Sequence, residues 1–406
     1  MIKTIAHLAD IHIRKLRRFV EYREVFDKLY NQLSDLQPDL IFLAGDIVHG
    51  KLDTSPEETR LVADFFLTLS NISDLAIIPG NHDCNLNNKS REDTLSPIID
   101  LVKKINPNVH YWKQSGKYTI GNVDFGVMSI FDRDKEGNQI VHNLPNPGDL
   151  DNEHRIAIFH GGVGTFEVDT GLQMTDKNVS TTTFKGYDIV MLGDIHKRQF
   201  LDDEKTIGYP GSLIQQNFAE DPAKGFLLWN LDTRTSTFHK IKNDFGFKVI
   251  EVKDGKIQTS RTNKKEFNKT FIPKKGNVKI KYWSTSLEDI KNIQLELRKQ
   301  YPELKEVKPE KQDTFIIDGK NRINKIDIGD VRDVNYQNEL IEDFLKRQVE
   351  NIDDKTIKRI QLINEQTNNT PEIYNGDVAR NVDWKIKSFE FDNLFSYGEN
   401  NKIDFG

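Results

Sequence analysis

Asp10 and His12 stand two apart at the end of an apolar run, Ile2–Ala9. On a strand that spacing puts both side chains on one face. Asp46 follows Gly45 after Leu40–Ala44, and Asn81 and His82 follow Gly80 after Leu75–Pro79. His160 follows Arg155–Phe159, and Asp194 and His196 follow Asp188–Leu192. Carboxylates, one amide and several imidazoles suit Mn²⁺, Fe²⁺ or Zn²⁺ better than Ca²⁺, which prefers all-oxygen shells. One carboxylate between two halves of such a set can bridge two cations. Two cations about 3.5–4 Å apart stabilise both oxygens of an in-line displacement at phosphorus and supply hydroxide near neutral pH. The chemistry is phosphoester hydrolysis by direct attack of water. A single Asp-x-His is an ordinary surface or capping pattern. Five clusters in order, each closing an apolar run, select the metal reading. His7, His110, His142, His154 and His239 lack that context and are read as structural or surface residues.

The runs that carry these residues are short and rich in Ile, Leu and Val, the pattern of strands buried on both faces. Helical periodicity over Tyr22–Leu36 and Pro56–Leu69 separates some of them, which predicts a layered α/β core. Polar clusters just past strand ends are where open α/β sheets place their sites. Tyr118–Ile130 is β-rich with a turn at Gly121-Asn122, and Phe226–Asn230 and Ser236–Ile241 are closing strands. Val278–Trp283, a helix near Leu287–Tyr301 and a strand at Phe315–Ile317 predict a small second domain. Tyr336–Val349 is a helix with Leu340, Ile341, Phe344, Leu345 and Val349 on one side, and Asp353–Asn364 is a second helix. Residues 365–382 are polar and predict a linker; Trp384–Phe405 predicts strand, turn, strand.

Length and charge bound the answer. At about 150 residues per domain, 406 residues predict two to three domains. Lys+Arg 57 against Asp+Glu 63 gives −6, which argues against a globally basic nucleic-acid coat protein. Residues 248–281 carry eleven Lys/Arg and three Asp/Glu, a net of +8, so the remainder sums to −14. The single cysteine, Cys84, excludes an intramolecular disulfide framework and a multi-cysteine zinc site. It favours a reducing interior. No apolar run approaches about 18 residues, so no membrane span is expected. His7 and Asp10 come too early for a signal peptide, and a cytoplasmic location is expected.

Asp10-x-His12, Gly45-Asp46, Gly80-Asn81-His82-Asp83, His160 and Gly193-Asp194-Ile195-His196 together resemble the signature of the calcineurin-like metallophosphoesterases over residues 1–245. Gly45-Asp46-Ile47-Val48-His49 is similar to the SbcD-type nuclease branch, whereas protein phosphatases of the superfamily read Gly-Asp-x-Val-Asp-Arg-Gly. Tyr209-Pro210-Gly211-Ser212-Leu213 also resembles the segment after the last motif in nuclease members. The resemblance implies an α/β fold: a four-layer β-sandwich flanked by helices, a small basic α+β capping domain over 246–330 and a C-terminal helix pair over 336–364. It implies that Asp10, His12 and His196 hold one metal, that Asn81 and His160 hold the second, and that Asp46 bridges. His82 would act on the leaving oxygen, Asp83 would orient His82, and His49 would assist near the scissile phosphate. Asp194 stands where the family has His; direct ligation of the second metal is expected, with preference shifted toward Mn²⁺ or Mg²⁺.

The same resemblance implies a two-metal, Mn²⁺-dependent DNA nuclease in double-strand-break repair and recombination. It would cut duplex ends as an exonuclease and single strands as an endonuclease. Its partners would be DNA and an SMC-like ATPase, separate or fused in cis, and it would be a homodimer in the cytoplasm, of the host cell where phage-encoded. Arg14, Lys15, Arg17 and Arg18 follow the first motif and are candidate phosphate contacts. Residues 383–406 resemble the start of the ATPase, with Asn393-Leu394-Phe395-Ser396-Tyr397-Gly398 as its turn. The chain contains no Gly-x-x-x-x-Gly-Lys-Ser/Thr loop, so ATP binding is not assigned to it. The alternatives are a phosphodiesterase or phosphatase on a non-DNA substrate and a metal-bound scaffold that recruits the ATPase.

Overall fold

Residues that alternate between two apolar environments make strands that are buried on both faces, and this chain is built on such strands. A computed structural model describes residues 1–51, 54–86, 88, 91–258, 272–312, 334–348, 352–368, 388–391 and 401–404. The chain divides into two units, Met1–Phe315 and Ile316–Gly406. The first begins with β1 (Thr4–Leu8), α1 (Phe19–Leu36), β2 (Leu40–Ala44), α2 (Pro56–Ile72), β3 (Asp74–Ile78), α3 (Ser96–Ile105) and β4 (Val109–Tyr111). There follow β5 (Gly116–Ile120), β6 (Val123–Met128), β7 (His154–His160), β8 (Thr165–Glu167), β9 (Gln173–Thr175) and β10 (Ile189–Gly193). The core closes with β11 (Gln199–Phe200), β12 (Ile207–Tyr209), β13 (Gly225–Asn230) and β14 (Thr235–Lys240).

Two six-stranded sheets result, ordered β14-β13-β1-β2-β3-β4 and β11-β12-β10-β7-β6-β5. β1, β2, β3 and β4 run parallel, as do β6, β7, β10 and β12. Phe42, Ala76 and Ile78 from the first sheet meet Ile156, Ile158, Ile189 and Met191 from the second. The alternate residues Ile41, Leu43, Leu75 and Ile77 face α1–α3 through Val25, Phe26, Phe65 and Ile99. Ala157, Phe159, Val190 and Leu192 face the other way, onto Val163, Phe166, Val179 and Phe184. The layers are therefore helices, sheet, sheet and a thinner cover of loops, the β8–β9 hairpin and a 3-10 turn at Thr181–Phe184. Each fully buried Ile, Leu or Phe contributes about 1.5–3 kcal/mol, so the strand ends sit on the stiffest part of the unit. α2 starts where Ser55 accepts from the Glu58 amide, with Pro56 in the first turn.

β15 (Phe247–Lys253), β16 (Lys256–Ile257), β17 (Asn277–Trp283), α4 (Leu287–Gln300) and β18 (Glu306–Lys311) form a separate four-stranded sheet, ordered β16-β15-β17-β18, with its own core of Ile250, Val252, Val278, Ile280, Ile290, Leu297 and Val307. A strand not expected from the sequence lies at Glu306–Lys311; the strand expected at Phe315–Ile317 lies outside the described residues. β18 is an edge strand that buries only Val307 and Leu304 beside it, so Pro309 and its charges are tolerated and the apolar signal is weak.

In the second unit, α5 (Val334–Gln348) and α6 (Asp354–Asn368) pack as a pair. Asn338 joins them: its side chain bonds Glu365 and Asn364, and its carbonyl accepts from Gln361. Ile357 is buried, while Leu340, Leu362 and Ile363 are exposed. α6 continues to Asn368, into the segment expected as linker; residues 369–387 lie outside the described residues, as do Val349 and the Phe344 side chain. β19 (Ser388–Phe391) and β20 (Asn401–Asp404) pair antiparallel, and the intervening turn, 392–400, is outside the described residues. No helix among the described residues is long and apolar enough to cross a membrane.

Candidate metal centre

The loops after β1, β2 and β3 meet the ends of β7 and β10. Beyond their strands, the first two loops continue side by side: Asp10 N–H donates to Gly45 O at 3.1 Å, His12 N–H to Asp46 O at 2.9 Å and His49 N–H to Ile13 O at 2.8 Å. Asp10, His12, Asp46 and Asp194 have φ of 54, 50, 54 and 94°. A left-handed non-glycine residue costs about 1–3 kcal/mol and persists where its surroundings over-determine it, characteristically at functional sites. Glycines let the two sheets close at this point. A Cβ on Gly193 would lie 2.0 Å from Ala44 O and 2.7 Å from His160 Nδ1; one on Gly80 would lie 2.1 Å from Asp46 Oδ1.

Asp46 sits at the middle of the set. Its Oδ2 is 3.5 Å from His12 Nε2 and its Oδ1 is 3.4 Å from His160 Nε2. His12 Nε2 is 2.9 Å from His196 Nε2. His160 Nε2 is 3.0 Å from Asn81 Oδ1 and 3.7 Å from Asp194 Oδ1. Asp10 accepts the Asp194 N–H at 3.1 Å and shares close groups with His12 and His196 and with Asp46 and His160. Ligand atoms bound at about 2.1 Å to one ion lie about 3.0–3.4 Å apart; His160–Asn81 and His160–Asp46 fall in that range, and His12–Asp46 and His160–Asp194, at 3.5 and 3.7 Å, lie just beyond it. All seven expected ligands are brought together.

The electrostatics agree. Burial pushes the Asp10 carboxyl up to about 7, against the pull of His196 and His160. Burial also raises Asp194. Asp46 is driven up by burial too, but His160 and His12 outweigh it and hold the acid below the ordinary carboxylate range. His12 is depressed to about 3, first by burial. His160 is lowered by burial, yet Asp46, Asp194 and Asp10 carry it well above the usual imidazole range. A cation in this cluster would supply the counter-charge that the buried acids need.

His82 and His49 stand beside the first half. His82 Nδ1 donates to the His49 carbonyl at 2.8 Å, and the two rings stack with centroids 5.3 Å apart. His49 Nδ1 is 3.5 Å from His12 Nδ1, and burial, then Arg14, lower its imidazole to about 4. Asp83 does not take the role expected of it. Its buried carboxylate accepts from Val48 N at 2.9 Å and Gly80 N at 2.8 Å, so it ties two loops together while the His49 carbonyl orients His82. Burial, then Asp46, raise Asp83 to about 7.

Among the basic residues after the first motif, Arg18 is a correction. Its side chain makes a bidentate bond to Glu21 at 2.7 and 2.8 Å and donates to Gln215 O, from the position that precedes α1. Arg14 bonds Gln216 Oε1 at 3.2 Å beside the cluster, Lys15 is half-buried and Arg17 is exposed. In the basic segment, Lys275 pairs with Glu24 at 2.7 Å and Lys279 with Glu310 at 2.8 Å; residues 259–271 lie outside the described residues. A cavity of about 580 Å³ opens against Asn81, His160 and Asp194, walled opposite by Lys135, Asn138 and Gln139. Glu220 was not singled out by any sequence motif. Its Oε1 is 2.9 Å from His196 Nδ1, and its position eight residues past Ser212 carries no spacing signal of its own.

The centre can be compared with known proteins. The model of the calcineurin-like phosphoesterase family matches residues 3–258. An uncharacterized protein of Acanthamoeba polyphaga mimivirus is 35% identical over the whole chain, which spans 30% of that protein's length. The SbcD component of the nuclease SbcCD from Staphylococcus saprophyticus is 27% identical over 72% of this chain and 75% of its own. Among solved structures, a dimetal phosphatase from Danio rerio superposes with a TM-score of 0.34 at 13% identity, covering 57% of this chain and 93% of that one. With well over half of the chain matched and the signature residues gathered at one point, the chain belongs to the calcineurin-like phosphoesterase family of metal-dependent phosphoester hydrolases.

Proposed function

We propose that this chain is a two-metal DNA nuclease, cutting duplex ends as an exonuclease and single strands as an endonuclease in double-strand-break repair and recombination. The observation that carries the two-metal part is Asp46, whose two oxygens address imidazoles from opposite halves of the centre, His12 at 3.5 Å and His160 at 3.4 Å. Asp10, His12 and His196 would hold one ion, Asn81, His160 and Asp194 would hold the other, and Asp46 would serve both. Divalent cations, Mn²⁺ in this reading, polarise phosphoryl oxygens and lower the pKa of water. His82 has its Nδ1–H committed to the His49 carbonyl, so Nε2 is the atom left to carry a proton to the leaving oxygen. In this reading Arg14, which bonds Gln216 Oε1 at 3.2 Å beside His49, would contact a substrate phosphate.

The choice of DNA rests on the likeness to a nuclease component over nearly three quarters of both chains and on the +8 segment at 248–281. The partnership with an SMC-like ATPase rests on the α5–α6 pair, whose exposed Leu340, Leu362 and Ile363 suit an apolar coiled-coil surface. The test is hydrolysis with Mn²⁺ of linear duplex DNA beside a generic phosphodiester such as bis-p-nitrophenyl phosphate. Activity on both is expected; activity on the small diester alone removes the nuclease reading, and activity on neither removes the hydrolase.

A further inference from the structure

The imidazoles of the centre hold their second nitrogens differently. His160 Nδ1 faces the Ala44 carbonyl at 2.6 Å. His12 Nδ1 stands 3.5 Å from His49 Nδ1. His196 Nδ1 faces a carboxylate, Glu220 Oε1, at 2.9 Å. Glu220 is 3% exposed and lies in the segment between β12 and β13. Donors surround its other oxygen: Gln216 N–H at 3.0 Å, Ser212 Oγ at 3.1 Å and the Lys224 ammonium at 3.0 Å. Lys224 also donates to the His196 carbonyl at 2.9 Å. Ser212 is in turn bridged to Ala9, at the exit of the strand that carries Asp10.

A carboxylate so held is an acceptor only, and it therefore keeps the His196 proton on Nδ1. The lone pair of His196 Nε2 is then left facing His12 Nε2, inside the group formed with Asp10. We propose that Glu220 is a positioning residue: it fixes the Nδ1–H tautomer of His196 and so sets the affinity of the cation held by Asp10, His12 and His196. The proposal rests on the two-cation reading above. Carboxylate partners of ligand histidines fix ring and tautomer, and losing one costs about 10–100-fold in metal affinity.

Glu220→Gln is the sharp variant. The three donors around Oε2 outnumber Asn217, which donates to Oε1 at 3.2 Å, and will take the amide oxygen, which turns the NH₂ toward His196 Nδ1. His196 must then accept there and carry its proton on Nε2, where it blocks ligation. Mn²⁺ titration of the full chain by calorimetry is expected to find two sites, with one weakened about 10–100-fold in Glu220→Gln and the other within about twofold. Long-range ¹H–¹⁵N spectra of the metal-free protein, taken at a pH high enough to leave the His196 ring neutral, are expected to show its proton on Nδ1 in the parent and on Nε2 in the variant. Asp188→Asn removes a buried carboxylate bonded to the Arg155 N–H and to Arg234, away from the centre, and should leave both affinities within about threefold. If Asp188→Asn weakens the same site as much as Glu220→Gln, if both sites weaken together, or if the neutral His196 ring of the parent carries its proton on Nε2, the inference is overturned. Should Glu220→Gln fail to fold because Lys224 loses its nearer carboxylate and keeps only Asp169 at 3.8 Å, the neutral pair Glu220→Gln/Lys224→Met carries the same expectation. A parent that binds no Mn²⁺ would sink the proposed function itself, whereas two unchanged sites in a folded Glu220→Gln would sink only this inference.

Discussion

His82 separates a proton carrier from a ligand. It stands close to His12 and His49, within a group that could itself hold a cation, yet its Nδ1 is engaged by the His49 carbonyl. His82→Ala is expected to lower diester turnover by about 10²–10⁴-fold while two Mn²⁺ still bind, checked by steady-state kinetics beside metal analysis. Loss of one metal would make His82 a ligand instead. The acids also predict how metal binding follows pH. Asp10 is raised to about 7 by burial, so below that pH its carboxyl holds a proton that a cation must displace. Apparent Mn²⁺ affinity should therefore rise between pH 5 and 7 by at least about tenfold per pH unit for the proton displaced from Asp10, and go on rising above pH 7 while His160, held well above the usual imidazole range, still carries its own. Calorimetry in buffers of different ionisation enthalpy reads both the slope and the proton release; affinity independent of pH between 5 and 7 would refute it. At this scale the sequence was informative wherever a motif closed a strand. It was silent where a carbonyl or an out-of-motif acid does the orienting, as Ala44 and Glu220 do, because side chain identity and spacing encode neither.

The elements that place these residues were legible for one physical reason. β2, β3, β7 and β10 are buried on both faces, so their apolar runs are unbroken and their ends abrupt. β18 escaped because an edge strand needs few apolar residues, and α3 because its short sequence is apolar on both its buried face, Ile98, Ile99 and Val102, and its exposed face, Leu101 and Ile105. The glycine of the last motif has a further role that spacing does not reveal. At Gly193 the two sheets converge so closely that an added Cβ would overlap Ala44 O, in the first sheet, and crowd His160. Gly193→Ala is expected to destabilise the chain by about 1–3 kcal/mol and to displace His160. Denaturant melts would read the first effect and a weakened second Mn²⁺ the second. Wild-type values for both would mean that the sheets can part without cost.

At the scale of the whole molecule, charge decides how an acidic protein approaches a polyanion. The chain is −6 overall, and two divalent cations at the centre would add four positive charges where buried acids now dominate. If the substrate is DNA, as proposed, the rest of the attraction must come from local cations. Part of the basic segment is already compensated, since Lys275 and Lys279 pair with Glu24 and Glu310. Lys253, Lys256 and Lys274 are exposed, and they flank or lie within the β15–β17 region of the smaller sheet. If that sheet caps DNA over the metals, these three contact phosphates, and each contact releases counterions. Replacing all three by Ala should weaken duplex binding at low salt. It should also flatten the dependence of log affinity on log salt by roughly one per lost contact. Hydrolysis of a small phosphodiester, which needs no cap, should stay within about twofold. Fluorescence anisotropy over a salt series and the small-diester assay together give the answer. A slope unchanged by the triple substitution would place the DNA elsewhere on the molecule, and a parallel loss of small-diester turnover would make the sheet part of the catalytic unit rather than a cap on it.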